Sequence, residues 1–263
     1  MDWLQALFLG LLQGLTEFLP VSSSGHLELG KVLLNIENAD DVTFTIAVHG
    51  ATVLSTLVVF WKEILNLLKG SLKFRMNEET HYVLKLIVSM VPVLFVGIFL
   101  KDWVEGFFTG NLVFVGSMLL LTAVLLGLAS FIRPKVTKPV TYKSALIMGL
   151  AQAVATLPGL SRSGSTIATG LMLGTDKKEV ARFSFLMVLV PVIGANLIEL
   201  LDMQSGAVTG GVGVSNLVIG FLAAFLSGLL ACSWMINLVK KGKLIWFAIY
   251  CVIIGALAIG FGL

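Results

Sequence analysis

The sequence predicts an all-α polytopic membrane protein: six transmembrane helices plus two re-entrant helical hairpins, arranged as an inverted-topology repeat. Three observations predict it. Apolar residues fill 57% of the 263 positions and charged residues only 13%, against about 25% charged in a soluble domain. Two of the apolar segments are interrupted by a proline followed by a glycine/serine cluster, and the lysines and arginines gather in particular loops. A mean hydropathy of +0.98 leaves too little polar surface for water. One cleavable signal does not account for it, because apolar runs recur to the last residue and Met1-Asp2-Trp3 carries no basic lead.

Six stretches are long and apolar enough to cross about 30 Å of hydrocarbon: residues 43–61, 84–100, 111–132, 183–201, 215–239 and 244–263. Segments 3–19 and 144–157 are different, each followed by the proline, the small-residue cluster and a short apolar piece, 27–34 or 167–173. Neither second piece can cross. Each pair therefore reads as a hairpin that turns inside the membrane, and non-helical backbone at that depth must be buried in protein or line a polar cavity. The breaks mark where the cavity should be.

Lysine and arginine concentrate in cytoplasmic loops. If both hairpins return to the side they came from, loops 62–83, 133–143, 174–182 and 240–243 share one face and hold fourteen basic residues, with Lys31 and Lys101 alone opposite. That parity puts both termini outside the cytoplasm. The net charge of +3 then suits an anionic lipid surface, and without an aromatic-interleaved basic stripe no nucleic-acid partner is expected. Cys232 and Cys251 sit in apolar runs, so neither a disulfide framework nor a thiolate metal site is expected.

A shift of 139 residues superposes Ala6, Gly10, Leu11 and Gln13 on Ala145, Gly149, Leu150 and Gln152. It also carries Ser22, Ser24 and Gly25 onto Ser161, Ser163 and Gly164, and Phe44 onto Phe183. The single domain 1–263 thus divides into repeats of about 1–132 and 144–263. Each holds one hairpin and three spans, and an odd number of spans inverts the second copy. The two breaks should meet near the midplane.

The first break places Gln13 and Glu17 four residues apart on one helical face, then Pro20, Ser22, Ser23, Ser24, Gly25 and His26. The second reads Pro158, Gly159, Leu160, Ser161, Arg162, Ser163, Gly164, Ser165, Thr166. Serine at the start of a half-helix leaves unpaired backbone N–H groups and a positive dipole end. Two such ends plus a guanidinium suit a highly charged anion, and the planar fork of arginine favours phosphate. Ionisable groups inside a membrane are functional hypotheses by default, which singles out Glu17, His26 and Arg162. The competing reading is a lock between Glu17 and Arg162, which explains neither the hydroxyls nor the glycines.

Other polar residues carry less. His49 either lines the cavity or bonds between helices, His81 is solvated, Asn196 and Glu199 are structural, and Pro92 and Pro191 shape their helices. Gly220 and Gly228 on 215–239 offer a small-residue face for a homodimer. No nucleotide loop and no His/Cys metal cluster is present in the sequence.

At the two breaks the sequence resembles the undecaprenyl-pyrophosphate phosphatase family, the bacitracin-resistance type of integral-membrane enzyme. The signatures are a Glu/Gln-x-x-x-Glu segment running into P-V-S-S-x-G-H, here Gln13 to His26, and P-G-x-S-R-S-G-x-T, here Pro158 to Thr166. The likeness extends over essentially the whole chain. It implies hydrolysis of the terminal phosphate of a C55 isoprenoid pyrophosphate at the outer face of the bacterial cytoplasmic membrane. That step recycles the lipid carrier for peptidoglycan and protects against bacitracin, which sequesters the pyrophosphate. Gln13 stands where some members carry Glu, which leaves a divalent cation such as Mg or Ca one motif carboxylate, Glu17.

On this reading Arg162 and the two half-helix N-termini hold the phosphates, Ser23 is the nucleophile and His26 its base. Glu17 orients His26 or the serine, or binds a bridging cation. Gln13, Ser22, Ser161, Ser163 and Thr166 donate hydrogen bonds to phosphate oxygens. Attack by an activated water competes with the serine route, and Ser22 and Ser23 are interchangeable at this level. The second function class is a flippase or transporter for an isoprenoid phosphate, since inverted repeats with broken helices are a transporter plan; a non-catalytic lipid-binding subunit is a third.

Overall fold

Helices make up the regular structure of the described residues, which are 1–36, 42–108, 110–132, 137–204 and 212–263 of a computed structural model. The first half contains α1 (Trp3–Phe18), α2 (Ser23–Leu33), α3 (Val42–Val59), α4 (Trp61–Ser71), α5 (Glu78–Phe99), the short α6 (Lys101–Glu105) and α7 (Leu112–Phe131). The second contains α8 (Tyr142–Val154), α9 (Arg162–Met172), α10 (Lys177–Met187), α11 (Leu189–Gln204), α12 (Val214–Lys240) and α13 (Leu244–Gly262). Arg133, Lys135, Glu37, Asp40 and Asp41 of the charge pattern lie outside the described residues, as do the side chains of Glu199, Asp202 and Lys240.

Local chemistry sets the helix limits. Asp2 closes a capping box with Gln5, Thr141 closes one with Ser144, and Asn77, Asn111 and Asp176 cap α5, α7 and α10. At about 1.5 Å per residue, the 16 residues of α1 and the 13 of α8 fall short of a ~30 Å hydrocarbon layer, and the 11 residues each of α2 and α9 fall further short. Five single helical stretches are long and apolar enough to cross: Glu78–Phe99, Leu112–Phe131, Lys177–Ile198, Val214–Val239 and Leu244–Gly262. A sixth is the pair α3 and α4, bent by 71°.

Two elements depart from the sequence reading. Residues 61–71, expected as loop, form α4, because Trp61, Ile64, Leu67 and Leu68 recur at helical spacing among Lys62, Glu63, Asn66 and Lys69. The span expected at 183–201 starts earlier, at Lys177, and is jointed at Val188 between α10 and α11. Pro191 has no N–H for the carbonyl of Met187 four residues back, which weakens the ladder at that joint.

The described parts of the basic loops converge at one end of the bundle. Arg182 pairs with Glu63, and His81 Nδ1 bonds the Tyr142 hydroxyl at 2.8 Å. Lys138 N–H donates to Gly174 and Asp176 N–H to Lys138, while the Lys177 ammonium lies over Gly242. The opposite end gathers both termini. There Asn216 donates to the Met1 carbonyl, and Gly262 packs on Leu112 and Val113. All five tryptophans are more than half exposed, with Trp3 and Trp103 near the terminal end and Trp61 and Trp246 near the basic end, the placement of interfacial aromatic belts.

Helices related by the 139-residue shift exchange packing partners: α1 lies along α12, and α8 lies along α5. α7 and α13 pack on each other, with Gly116 against Gly255, and these two glycines are themselves 139 apart. A side chain on either would run into the carbonyl of the other. Gly220 and Gly228 are occupied within the chain, by Phe44 and by Ser55 and Phe18.

Candidate active site

The two breaks touch. Gly25 packs on the Cα of Gly159, Gly159 N–H donates to Ser24 Oγ at 3.4 Å, and Ser163 Oγ donates to the Leu19 carbonyl at 3.1 Å. Gly159 has φ +87°, and a Cβ there would lie 2.5 Å from the Val115 carbonyl oxygen, so the turn needs glycine on two counts. Opposite it, Ser22 caps α2 with φ +70°, a backbone state costing of order 1–3 kcal/mol that the surroundings must hold. Its hydroxyl accepts from Gly25 N–H, and Ser161 repeats the arrangement by accepting from Gly164 N–H at 3.0 Å.

Between these caps and the turns stand the first residues of the half-helices, Ser23 of α2 and Arg162 of α9. Both reach Glu17. Ser23 Oγ donates to Glu17 Oε2 at 2.6 Å, Gln13 Nε2 donates to the same oxygen at 3.0 Å, and the Arg162 guanidinium pairs with Glu17 Oε1. The Glu17 side chain is only 9% exposed and that of Arg162 29%, so a low-dielectric carboxylate is held by one cation and two neutral donors. His49 Nδ1, on α3, lies 2.9 Å from the Thr45 carbonyl.

Beside Glu17 and Arg162 opens a small cleft of about 30 Å³. Thr52, Thr56, Ser163 and Ser184 give it hydroxyls, and Phe18, Phe185, Val188, Leu189 and Val192 give it an apolar wall. Hydroxyls and an apolar wall thus meet beside the Glu17–Arg162 pair.

His26 faces away from this cluster's centre. Its Nδ1 lies 2.8 Å from the Ser22 carbonyl and its Nε2 lies 2.9 Å from the Tyr250 hydroxyl of α13. The hydrogen-bond partner of Ser23 is Glu17, where the sequence reading had paired Ser23 with His26. The other expected phosphate donors divide. Gln13, Ser22 and Ser163 border the junction, whereas Ser161 and Thr166, each 1% exposed, serve the scaffold. Ser161 N–H donates to Thr122, and Thr166 Oγ1 donates to the Arg162 carbonyl at 2.9 Å while sitting 2.6 Å from Ser184 Oγ.

Sequence reasoning missed Ser184, Thr52, Thr56 and Tyr250. The one signal was in Tyr250, a phenol in the middle of an otherwise apolar span, where a hydroxyl must find a partner.

For a hard cation the junction offers oxygen donors. Gln13 Oε1 is buried without a partner beside Glu17, although the described residues hold no cluster of three His, Cys, Asp or Glu. One carboxylate and one amide oxygen suit a cation that completes its shell with phosphate oxygens and water.

The fold and junction define a class: a polytopic membrane protein with a polar site built where two broken helices meet. The family model described as Bacitracin resistance protein BacA matches residues 6–257, and the chain belongs to that family. It is 55% identical over 260 residues to an undecaprenyl-diphosphatase of Bacteroides fragilis and 56% over 256 residues to one of Bacteroides thetaiotaomicron, covering 98% and 97% of each chain. A relative of the same name from Christiangramia forsetii is 53% identical over 99% of this chain and 98% of its own.

Proposed function

We propose that the chain is an undecaprenyl-diphosphate phosphatase, releasing the terminal phosphate and returning undecaprenyl phosphate for peptidoglycan synthesis. The observation that carries the site assignment is the convergence of Ser23 and Arg162, from the N-termini of two different half-helices, on the single carboxylate of Glu17. A structural lock needs the ion pair alone. It has no use for a serine hydroxyl on the same carboxylate or for two helix N-termini beside it.

In this mechanism the pyrophosphate takes Arg162 from Glu17, and the guanidinium and half-helix N–H groups bind its oxygens. Ser23 Oγ bonds to the terminal phosphorus as the bond from that phosphorus to the bridging oxygen breaks. The bridging oxygen leaves with the electron pair on undecaprenyl phosphate, and the serine proton goes to Glu17. Water then attacks the phosphoserine, giving its proton to His26, while Glu17 returns a proton to Ser23 and inorganic phosphate departs. Direct attack by water on the pyrophosphate remains the competing route, and trapping a phosphoryl group on Ser23 decides between them. Gln13 Oε1 and Glu17 would hold a divalent cation, which when bound supplies charge neutralisation to the phosphates.

The isoprenoid chain lies along the apolar wall of Phe18, Phe185, Val188 and Val192. Partner exchange between shifted helices and the Gly116–Gly255 contact support an inverted repeat. The positive-inside rule assigns the basic end to the cytoplasm of a bacterial inner membrane, with both termini outside. The site serves substrate at the outer face.

Phosphate release from undecaprenyl pyrophosphate by purified protein in detergent tests the function, with a chelator arm for the cation. Release is expected. Lipid binding without release under any cation condition would overturn the phosphatase and favour an isoprenoid-phosphate flippase on the same frame.

A further inference from the structure

A second cavity, of about 440 Å³, lies at the basic end of the bundle, and among the described residues it shares no lining with the Glu17–Arg162 cleft. The last turns of α7 and α9, the start of α10 and the turn between α12 and α13 bound it. Its volume falls among those of small-ligand sites. Ala129, Leu171 and Leu244 give it apolar lining, whereas Thr175, Lys177 and Lys241 bring it one hydroxyl and two ammonium groups.

The two cations meet here without a counter-charge. The Lys177 ammonium reaches across to the turn after α12, where a Cβ on Gly242, the neighbour of Lys241, would stand 2.7 Å from its nitrogen. Neither lysine has an ion-pair partner among the described residues. The acidic side chains of α10 are committed elsewhere. Asp176 accepts from Lys178 N–H at 2.9 Å and from Glu179 N–H at 3.3 Å as the cap of α10, and Glu179 lies 3.7 Å from Arg182. Like charges held at one cavity repel, and an anion between them turns that repulsion into attraction.

Thr175 is built into the wall. Its N–H donates to the Gly170 carbonyl at 3.1 Å, and on either side Lys138 N–H donates to Gly174 at 3.1 Å and Asp176 N–H to Lys138 at 3.0 Å. The residue is only 3% exposed, yet among the described residues its hydroxyl has no hydrogen-bond partner. A hydroxyl buried in that way is costly until an acceptor reaches it, and a phosphate oxygen in the cavity would be one. The depth is set by aromatic neighbours: Phe131, two residues beyond Ala129, is 79% exposed, and Trp246, two beyond Leu244, is 66% exposed, as expected of side chains at the lipid–water interface.

We propose that this cavity binds the phosphate head of an anionic membrane lipid: Lys177, Lys241 and the Thr175 hydroxyl hold the phosphate oxygens, and the apolar lining receives the first part of the chains. Basic pockets between transmembrane helices on the cytoplasmic side recognise anionic lipid heads in this way. A free anion would have no use for Ala129, Leu171 and Leu244 or for a place at interfacial depth. The inference does not rest on the phosphatase reading; only its leaflet, the cytoplasmic one, follows from the positive-inside assignment.

Native mass spectrometry of the purified full-length protein, titrated with phosphatidylglycerol or with zwitterionic phosphatidylcholine, reads binding without turnover. Phosphatidylglycerol should bind at least about 10-fold more tightly, and Lys177→Gln/Lys241→Gln should remove that preference. Thr175→Val, which keeps the shape of the side chain, should weaken phosphatidylglycerol about threefold. The pair Lys69→Gln/Lys73→Gln removes the same charge from the basic end outside the cavity and should change binding by no more than about twofold. Thermal denaturation confirms that each variant is folded. Equal losses in the two lysine pairs, or no loss in the cavity pair, overturns the site. Displacement of phosphatidylglycerol by inorganic phosphate at comparable concentration overturns the lipid as its occupant and makes it a site for free anions.

Discussion

The two breaks share a frame and differ in cargo. Ser22 and Ser161 cap their half-helices with the same side-chain hydrogen bond, Ser22 from a left-handed backbone and Ser161 from an extended one, and Ser24 and Ser163, 139 residues apart, each bond across to the opposite break. The position between them differs: Ser23 in the first, Arg162 in the second, also 139 apart. Upstream, Gln13 binds Glu17, whereas its counterpart Gln152 is 1% exposed with both amide atoms unpartnered and faces Thr156 at the position equivalent to Glu17 only in sequence. Downstream, His26 corresponds to Ser165, whose hydroxyl is buried without a partner. In the proposed mechanism one half supplies the nucleophile and proton carriers, the other the cation. On that proposal a duplicated scaffold furnishes two anion-attracting helix ends for nothing beyond its geometry, and single substitutions at matched positions divide the chemistry between them.

That asymmetry should show as a ranking. Ser23→Ala and Glu17→Ala are expected to lose the most phosphate release, roughly 10³-fold or more, because the residues of a nucleophilic unit fail together. Arg162→Ala should cost about 10²–10³-fold, and Arg162→Lys should recover little, since an ammonium lacks the two-pronged fork. All four variants are read by phosphate release from protein shown to be folded by thermal denaturation. Near-equal losses at Ser23 and at Ser163 would break the division of labour.

Matched glutamines sharpen it further. Gln13→Met should slow release about 10-fold, as a donor to a charged group is removed. Gln152→Met should leave release within about twofold and leave thermal stability unchanged or higher, because a buried unpaired amide costs about 1–3 kcal/mol. The smallest effect belongs to the support of Arg162: Ser184→Ala removes one hydrogen bond from Thr166, about 1 kcal/mol, and should slow release only about threefold.

The frame was legible because its causes are local. Proline followed by Gly and Ser announces a break, long apolar runs announce spans, and basic loops announce a face, each within a short window of sequence. The bend at α4 was hidden because its apolar spacing is mixed with Lys and Glu, so it read as loop. The joint at Val188 followed from Pro191, which was noted as shaping its helix without locating the break. The site was half legible. Glu17, Ser23 and Arg162 stand out as polar residues in apolar surroundings, but which hydroxyl meets which base depends on the rotation of α2. That rotation turns His26 to α13 and Ser23 to α1. Thr166 resembled a ligand-facing hydroxyl and is instead spent on the Arg162 carbonyl, and Tyr250, 224 residues from His26, carries no motif at all.

The claim that two breaks make one site is tested most directly by a double-mutant cycle on phosphate release: Ser23→Ala, Arg162→Ala and the pair, in folded protein. The account predicts strong non-additivity, the pair being about as slow as the worse single variant. Losses that multiply would contradict it, placing nucleophile and guanidinium in separate functions.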